Sequence, residues 1–299
     1  MYTKQRIMFL YAETPVHAGS GMSTGVIDLP IQREVYTELP IIQPQGIKGA
    51  LREMFTKKFQ SNTTEKNKME QVFGPEGTDF SGAIGFTHAR TLLFPVASLK
   101  GIFAYATSPY VLSLFKKDLE RANIKDKRLD YIPPITDEKT VYVTKNSKVV
   151  SNSKVIFSQF AFSSTENDEV NNIAEFLSEK AIPDALAEWK ERVKTNLVLL
   201  HDDIFKELTK IKTEVIYRNR IDPDKGIVAK GQLWSEEHLP SDTLLWCNIF
   251  AMNPLNKFTG GLEKDEEVVD YLEKQELKQF FVGGDQTVGR GLVSVKFLK

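Results

Sequence analysis

Two glycine-rich loops, and the residues directly after each of them, constrain this chain most. "HAGSGMSTGVIDLPIQRE" (17–34) comes straight after the apolar run "QRIMFLYAET" (5–14), and "GGDQTVGRG" (283–291) comes straight before "LVSVKF". Neither opens a helix: the first runs into Pro30 and the second into a strand pattern. A phosphate loop or a dinucleotide fingerprint needs the helix N-terminus that is missing from both. Arg290 and Gly291 also stand where a Walker A loop places Lys and Ser/Thr. Both nucleotide folds are therefore excluded. What remains is an α+β domain whose first and last strands are neighbours. Its glycines serve either as tight turns or as backbone-lined surface for an extended polyanion.

Bulk numbers narrow the partners. The chain has 299 residues, enough for one large domain or a core with insertions, and 39 basic against 40 acidic residues. A net charge of −1 means that any nucleic-acid surface has to come from local patches. Cys247 is the single cysteine, which excludes an internal disulfide and a cysteine-built zinc site, and four scattered histidines argue against a His-rich one. No apolar run approaches the length of a membrane span, and the N-terminus has no cleavable-leader pattern, so the expectation is a soluble cytoplasmic protein.

Periodicity predicts a helix in the second half of 38–59, with Ile47, Leu51, Met54 and Phe55 on one side. Residues 60–71 read as a helix end and flexible connection, and 83–107 as strands. Ser108 is the expected N-cap and Pro109 the first residue of the next helix. Roughly 130–212 reads as an irregular or helical insertion, with a hairpin or meander over 139–157 and helices over 182–197 and 202–210, the last capped by Asp202 or Asp203. Two extended runs around "DPDKG" predict a hairpin over 213–240, followed by an apolar strand and a helix near 262–278.

Three groups of residues carry chemistry. Lys48, between Gly46 and Gly49 at a helix start with Arg52 one turn on, forms either a phosphate cradle or a solvated helix face. The hairpin interleaves Tyr217, Arg218, Arg220, Lys230 and Trp234, as single-stranded nucleic acid requires and as an ordinary amphipathic hairpin also would. His17 and Asp28 share the first loop, where Asp could hold Mg²⁺ or form a turn and His could move a proton. "HDD" (201–203) sits at a helix start and reads as capping, whereas "SEEH" (235–238) adds Glu236 and His238 beside the basic hairpin.

Taken together, the first loop leading into "PIIQPQGIKGALR", then "LLFPVASLKGIFAYATSP", "GQLWSEEHLPSDT" and "GGDQTVGRGLVSV", resemble the RAMP superfamily of CRISPR proteins. Within it they resemble the multi-copy backbone subunit of the type III-B (Cmr) effector complex, from residue 5 to 298. The resemblance implies a single domain over 1–299: a ferredoxin-like, RRM-type palm with a hairpin thumb and inserted segments. It implies a head-to-tail filament on guide crRNA, with other Cmr subunits as partners, cutting target RNA at regular intervals with Mg²⁺ or Mn²⁺. Asp28 matches the family's catalytic, metal-linked acid, His17 a neighbouring loop histidine, and Glu236 an acid near the thumb. Gly19, Ser20, Lys48, Gly49, Arg52, Arg218, Arg220, Trp234, Gly284 and Arg290 are the expected RNA-binding set. His238 departs from the family's Tyr, and Gly46 from a common Ser. The rival readings are a guide-binding subunit in which Asp28 is only a turn residue, and a type III-A backbone subunit.

Overall fold

A computed structural model describes residues 2–77 and 79–298. In chain order the elements are β1 (Lys4–Ala12), β2 (Ile41–Ile42), α1 (Pro44–Lys58), α2 (Thr63–Phe73), β3 (Ile84–Phe86), β4 (Ala89–Ala97), β5 (Phe103–Thr107) and α3 (Pro109–Arg121). Next come β6 (Thr140–Val143), β7 (Val150–Ser151), β8 (Lys154–Phe157), β9 (Phe160–Glu166), α4 (Asp168–Lys180), α5 (Ala187–Asn196), β10 (Leu197–Leu199) and α6 (Asp202–Ile211). The chain ends with β11 (Glu214–Ile221), β12 (Val228–His238), β13 (Leu244–Ala251), α7 (Asp265–Lys274), β14 (Gln279–Phe281) and β15 (Leu292–Leu298).

This is a mixed α+β fold built on one large mixed sheet, ordered β14-β15-β1-β13-β4-β5-β10-β6-β9-β8-β7, with β2 on β4 and β3 on β13. The two terminal strands are indeed neighbours: β1 lies antiparallel between β15 and β13, with Ile7 opposite Leu298 and Asn248. Residues Ile7 to Ala12 are all buried, so both faces of the central strand are covered. Phe9, Phe115 and Trp246 pack ring against ring there, and the Trp246 indole N–H donates to Asp118 at 3.0 Å. A fully buried ring of this size contributes about 2–3 kcal/mol, and its N–H must find a partner to be tolerated inside.

Ser108 caps α3 by accepting from Val111 N–H, and Pro109 is its first residue. Two expectations need correction. Residues 60–71 are not a flexible connection but most of α2, because Asn62 accepts from the Glu65 N–H at 3.1 Å and starts a new helix. The cap of α6 is neither Asp202 nor Asp203: His201 Nδ1 accepts from Asp203 N–H, while the Asp202 carboxylate accepts from Tyr110 N–H at 2.8 Å. Residues 130–212 contribute β6–β10 and α4–α6, and their strands prolong the main sheet.

β11 and β12 form a separate two-stranded sheet. Its turn comes from "DPDKG": the Asp222 side chain accepts from Asp224 and Lys225 N–H, and Gly226 takes the positive φ that closes it.

Candidate catalytic and nucleic-acid site

The two glycine loops meet at the base of this hairpin. The first folds back on itself through a Gly19–Ile31 bridge and lies along β12, with Leu29 N–H bonded to Ser235 O and Glu237 N–H to Leu29 O, both at 3.0 Å. The second packs on the first: Gly284 N–H donates to His17 O at 2.9 Å, and Gly291 N–H to Pro15 O at 2.8 Å. The glycines make room for protein. A Cβ on Gly19 would lie 2.7 Å from His17 Nε2, one on Gly283 2.3 Å from His17 O, and one on Gly284 3.3 Å from His17 Cδ2. Three glycines thus crowd around one histidine.

His17 Nδ1 lies 2.7 Å from Glu237 O. A carbonyl can only accept, so Nδ1 carries a proton, and in the neutral ring Nε2 is the nitrogen with the lone pair. The His17 ring stacks obliquely on that of His238, with centroids 5.2 Å apart. Trp234, Glu236 and His238 alternate along β12 and so share one face. On that face Glu236 accepts from Trp234 Nε1 at 2.6 Å and from Arg218 at 3.1 Å, and Arg218 also bonds Asp285. His238 Nε2 lies 3.7 Å from Asp285 and 4.0 Å from Glu236. Burial, with the neighbouring His17 and Arg290, pushes the His238 imidazole below its ordinary value. Burial opposes ionisation of Asp285, but its bond to Arg218 and the neighbouring Glu236 carboxyl outweigh it and hold that carboxyl low. Asp285, in the left-handed region at φ 63° inside "GGDQ", is a site residue that sequence reasoning missed. Its signal was a charged residue in a glycine loop; its partners lie on a distant strand.

Asp28 stands apart from this cluster. Oδ2 accepts from both the backbone N–H and the hydroxyl of Ser235, each at 2.8 Å, while Asp28 N–H donates back to the same hydroxyl. These bonds hold its carboxyl below the usual range. Ser235 and Glu236 are consecutive on a strand and project to opposite faces, and among the described residues no group of three metal-ligating side chains includes Asp28. Apart from its own backbone N–H, only Ser235 among the described residues donates to this carboxylate, and it does so at Oδ2; the residue is exposed.

The expected RNA-binding residues fall into two groups. Ser20 bonds Pro30 O within its own loop, and Gln32 ties that loop to α1 by donating to Gly19 O and accepting from Gln43 N–H. The α1 N-terminus beyond it has no side-chain cap and no acid in its first turn, which leaves its positive end open to an anion. Gly49 is exposed and Arg52 half-buried. Lys48 is half-buried and donates to Ile84 O at 3.0 Å; burial, then the nearby Arg52 charge, lower its pKa. The second group lies on the hairpin and its base. Arg220 is exposed, Arg218 lies over the half-buried Trp234 ring, and Arg290 pairs with Glu214.

The fold and site define a sheet protein whose arginine-bearing hairpin stands over a histidine–carboxylate cluster, beside a loop carrying an exposed acid. The pattern of the RAMP superfamily matches residues 9–294, and the chain belongs to that superfamily. It is 37% identical, over 98% of its length and 95% of the relative's, to the CRISPR system Cmr endoribonuclease Cmr4 of Pyrococcus furiosus. Its fold is similar to that of oligomeric Cmr4 from the same organism, with a TM-score of 0.74 at 30% identity, covering 99% of this chain and 98% of that one. A chain of the type III-B Cmr-beta complex bound to cognate target RNA shares the fold at a TM-score of 0.76 and 22% identity, covering 99% of this chain and 98% of that one. No helix among the described residues is long and apolar enough to cross a membrane.

Proposed function

We propose that the chain is the repeated backbone subunit of a type III-B effector: it assembles head-to-tail on guide crRNA with other Cmr subunits and cleaves complementary target RNA at regular intervals. The strands β15-β1-β13-β4, each antiparallel to the next, with α1 between β1 and β4 and α7 between β13 and β15, serve as its ferredoxin-like palm. β11–β12 serves as the thumb. Guide pairing supplies sequence specificity, and the protein reads backbone and shape. The uncapped start of α1 with Lys48, Gly49 and Arg52, the loop at Gly19 and Ser20, and the arginines of the hairpin hold phosphate.

The observation that carries the catalytic reading is Asp28: one oxygen is locked by Ser235 and the other is open, on a loop pinned to the thumb strand. A lone exposed carboxylate beside phosphates suits a hard divalent ion, which takes one or two carboxylates and completes its shell from phosphate and water. Bound there, Mg²⁺ or Mn²⁺ supplies charge stabilisation at the scissile phosphate. The chain's own residues do the rest. The thumb splays the target so that a ribose 2′-OH lies in line with its own phosphate, and His17 Nε2 accepts the hydroxyl proton. The P–O5′ bond breaks as the new P–O2′ bond forms, and the departing O5′ takes a proton from water, which leaves a 2′,3′-cyclic phosphate and a 5′-hydroxyl. Glu236 orients Trp234 and Arg218 on the thumb.

The test is a guide-assembled complex given a complementary end-labelled RNA. A ladder of constant spacing, with cyclic-phosphate ends and lost on chelation of divalent ions, is expected. Cuts at irregular positions, or an undiminished ladder in chelator, would contradict the reading.

A further inference from the structure

We infer that Glu236 Oε2, His238 Nε2 and Asp285 Oδ2 form a divalent-cation site suited to Mn²⁺, which the Arg218 guanidinium plugs while no ion is bound. The first support is orphaned polar atoms. His238 is wholly buried, yet neither ring nitrogen has a hydrogen-bond partner among the described residues, and Asp285 Oδ2 has none either. Buried side-chain nitrogens and carboxylate oxygens are otherwise nearly always satisfied, so two that face each other across 3.7 Å mark a place for a third species.

The second support is geometry. His238 Nε2 is 3.7 Å from Asp285 Oδ2 and 4.0 Å from Glu236 Oε2, and the three donor atoms lie within 4.8 Å of one another. Ligand atoms on bonds of about 2.1 Å sit about 3.0 Å apart at right angles and about 4.2 Å apart when opposed. Small side-chain rotations therefore close the set on one ion. One imidazole with two carboxylates favours Mn²⁺ over Mg²⁺, which prefers oxygen throughout.

The third is Arg218. Two carboxylates this close do not both stay charged without a shared proton or a cation, and here the guanidinium bonds both the buried Glu236 and the half-buried Asp285. It reaches in from β11 with its side chain 32% exposed, so it can swing out, and the phosphate of a bound RNA is the anion it would meet. That last step rests on the proposed function; the site itself does not. Ion and guanidinium exclude each other, so removing Arg218 should open the site.

RNA-free purified protein is titrated with Mn²⁺, and the free ion is followed by electron paramagnetic resonance. Arg218→Ala is expected to bind one Mn²⁺ about tenfold more tightly than wild type, and Arg218→Ala/Asp285→Asn to lose that gain. Asn keeps the left-handed backbone at 285, so the double variant reports on the site without altering the wholly buried His238. Equal affinity in wild type and Arg218→Ala, or an Asp285→Asn double variant as tight as Arg218→Ala, would overturn the inference. Because no RNA is present, a chain that cuts nothing could still pass, and an active nuclease could still fail.

Discussion

Replacing Gly283 with Ala separates two reasons for a glycine in this loop: clearance for RNA or clearance for the neighbouring loop. Gly283 has φ 86° and its new Cβ would lie 2.3 Å from His17 O and 2.9 Å from His17 C, both backbone atoms. Positive φ costs Ala about 1–2 kcal/mol. Relief of the contact requires the loops to part by about an ångström, which breaks the 2.9 Å bond from Gly284 N–H to His17 O, worth about 1 kcal/mol. Residual overpacking adds about 1–2 kcal/mol, for a total near 3–5 kcal/mol. Gly289→Ala is the control: φ is 81°, but its Cβ would meet nothing within 4 Å, so only the backbone strain applies. Urea unfolding of both variants, without RNA, should show Gly283→Ala destabilised by at least about 2 kcal/mol more than Gly289→Ala. Equal stability of the two, with loss only of RNA affinity in Gly283→Ala, would refute the packing argument.

Two further outcomes are expected. If Lys48 holds guide phosphate with the protons not given to Ile84, Lys48→Ala should weaken RNA binding for all sequences alike and reduce the salt slope by about 0.7 in a filter-binding titration; an unchanged slope would make it a structural residue only. Lys190 and Lys296 hold the Asp184 carboxyl down at about 2, against an ordinary 3.8. With the folded value depressed, its stabilising contribution is present above pH 3.8 and fades as pH falls toward 2. The difference in urea midpoint between wild type and Asp184→Asn should therefore be full at pH 7, shrink below pH 4 and vanish only below pH 2; a constant difference would contradict the pairing.

What the sequence made legible was local. Ser108-Pro109 starts a helix by short-range hydrogen bonding, and "DPDKG" closes a turn by the same means, so both are readable without the rest of the chain. The 60–71 stretch reads as a connection because its polar composition hides a cap at Asn62, whose partner is only three residues away. Site residues were visible one at a time, and their assembly was not. His17, Glu236, His238 and Asp285 come from two loops and a strand, and only the pairing of β1 with β15 and the docking of the first loop on β12 bring them together. The same pairing sets Gly283 and Gly284 against His17, and the first loop adds Gly19; the sequence left such glycines open as tight turns or as surface for a polyanion.

The central claim is that Asp28 is the catalytic acid, and Asp28→Asn tests it most directly. Asn keeps the shape and can still accept from Ser235 N–H and hydroxyl, but it carries no charge for a divalent ion. Guide-assembled wild-type and variant complexes are given the same target RNA, with binding and cleavage measured on the same samples. The variant is expected to fold, bind guide and target as wild type does, and leave the target uncut. A variant that cuts at the wild-type rate would reduce Asp28 to a turn residue and contradict the account.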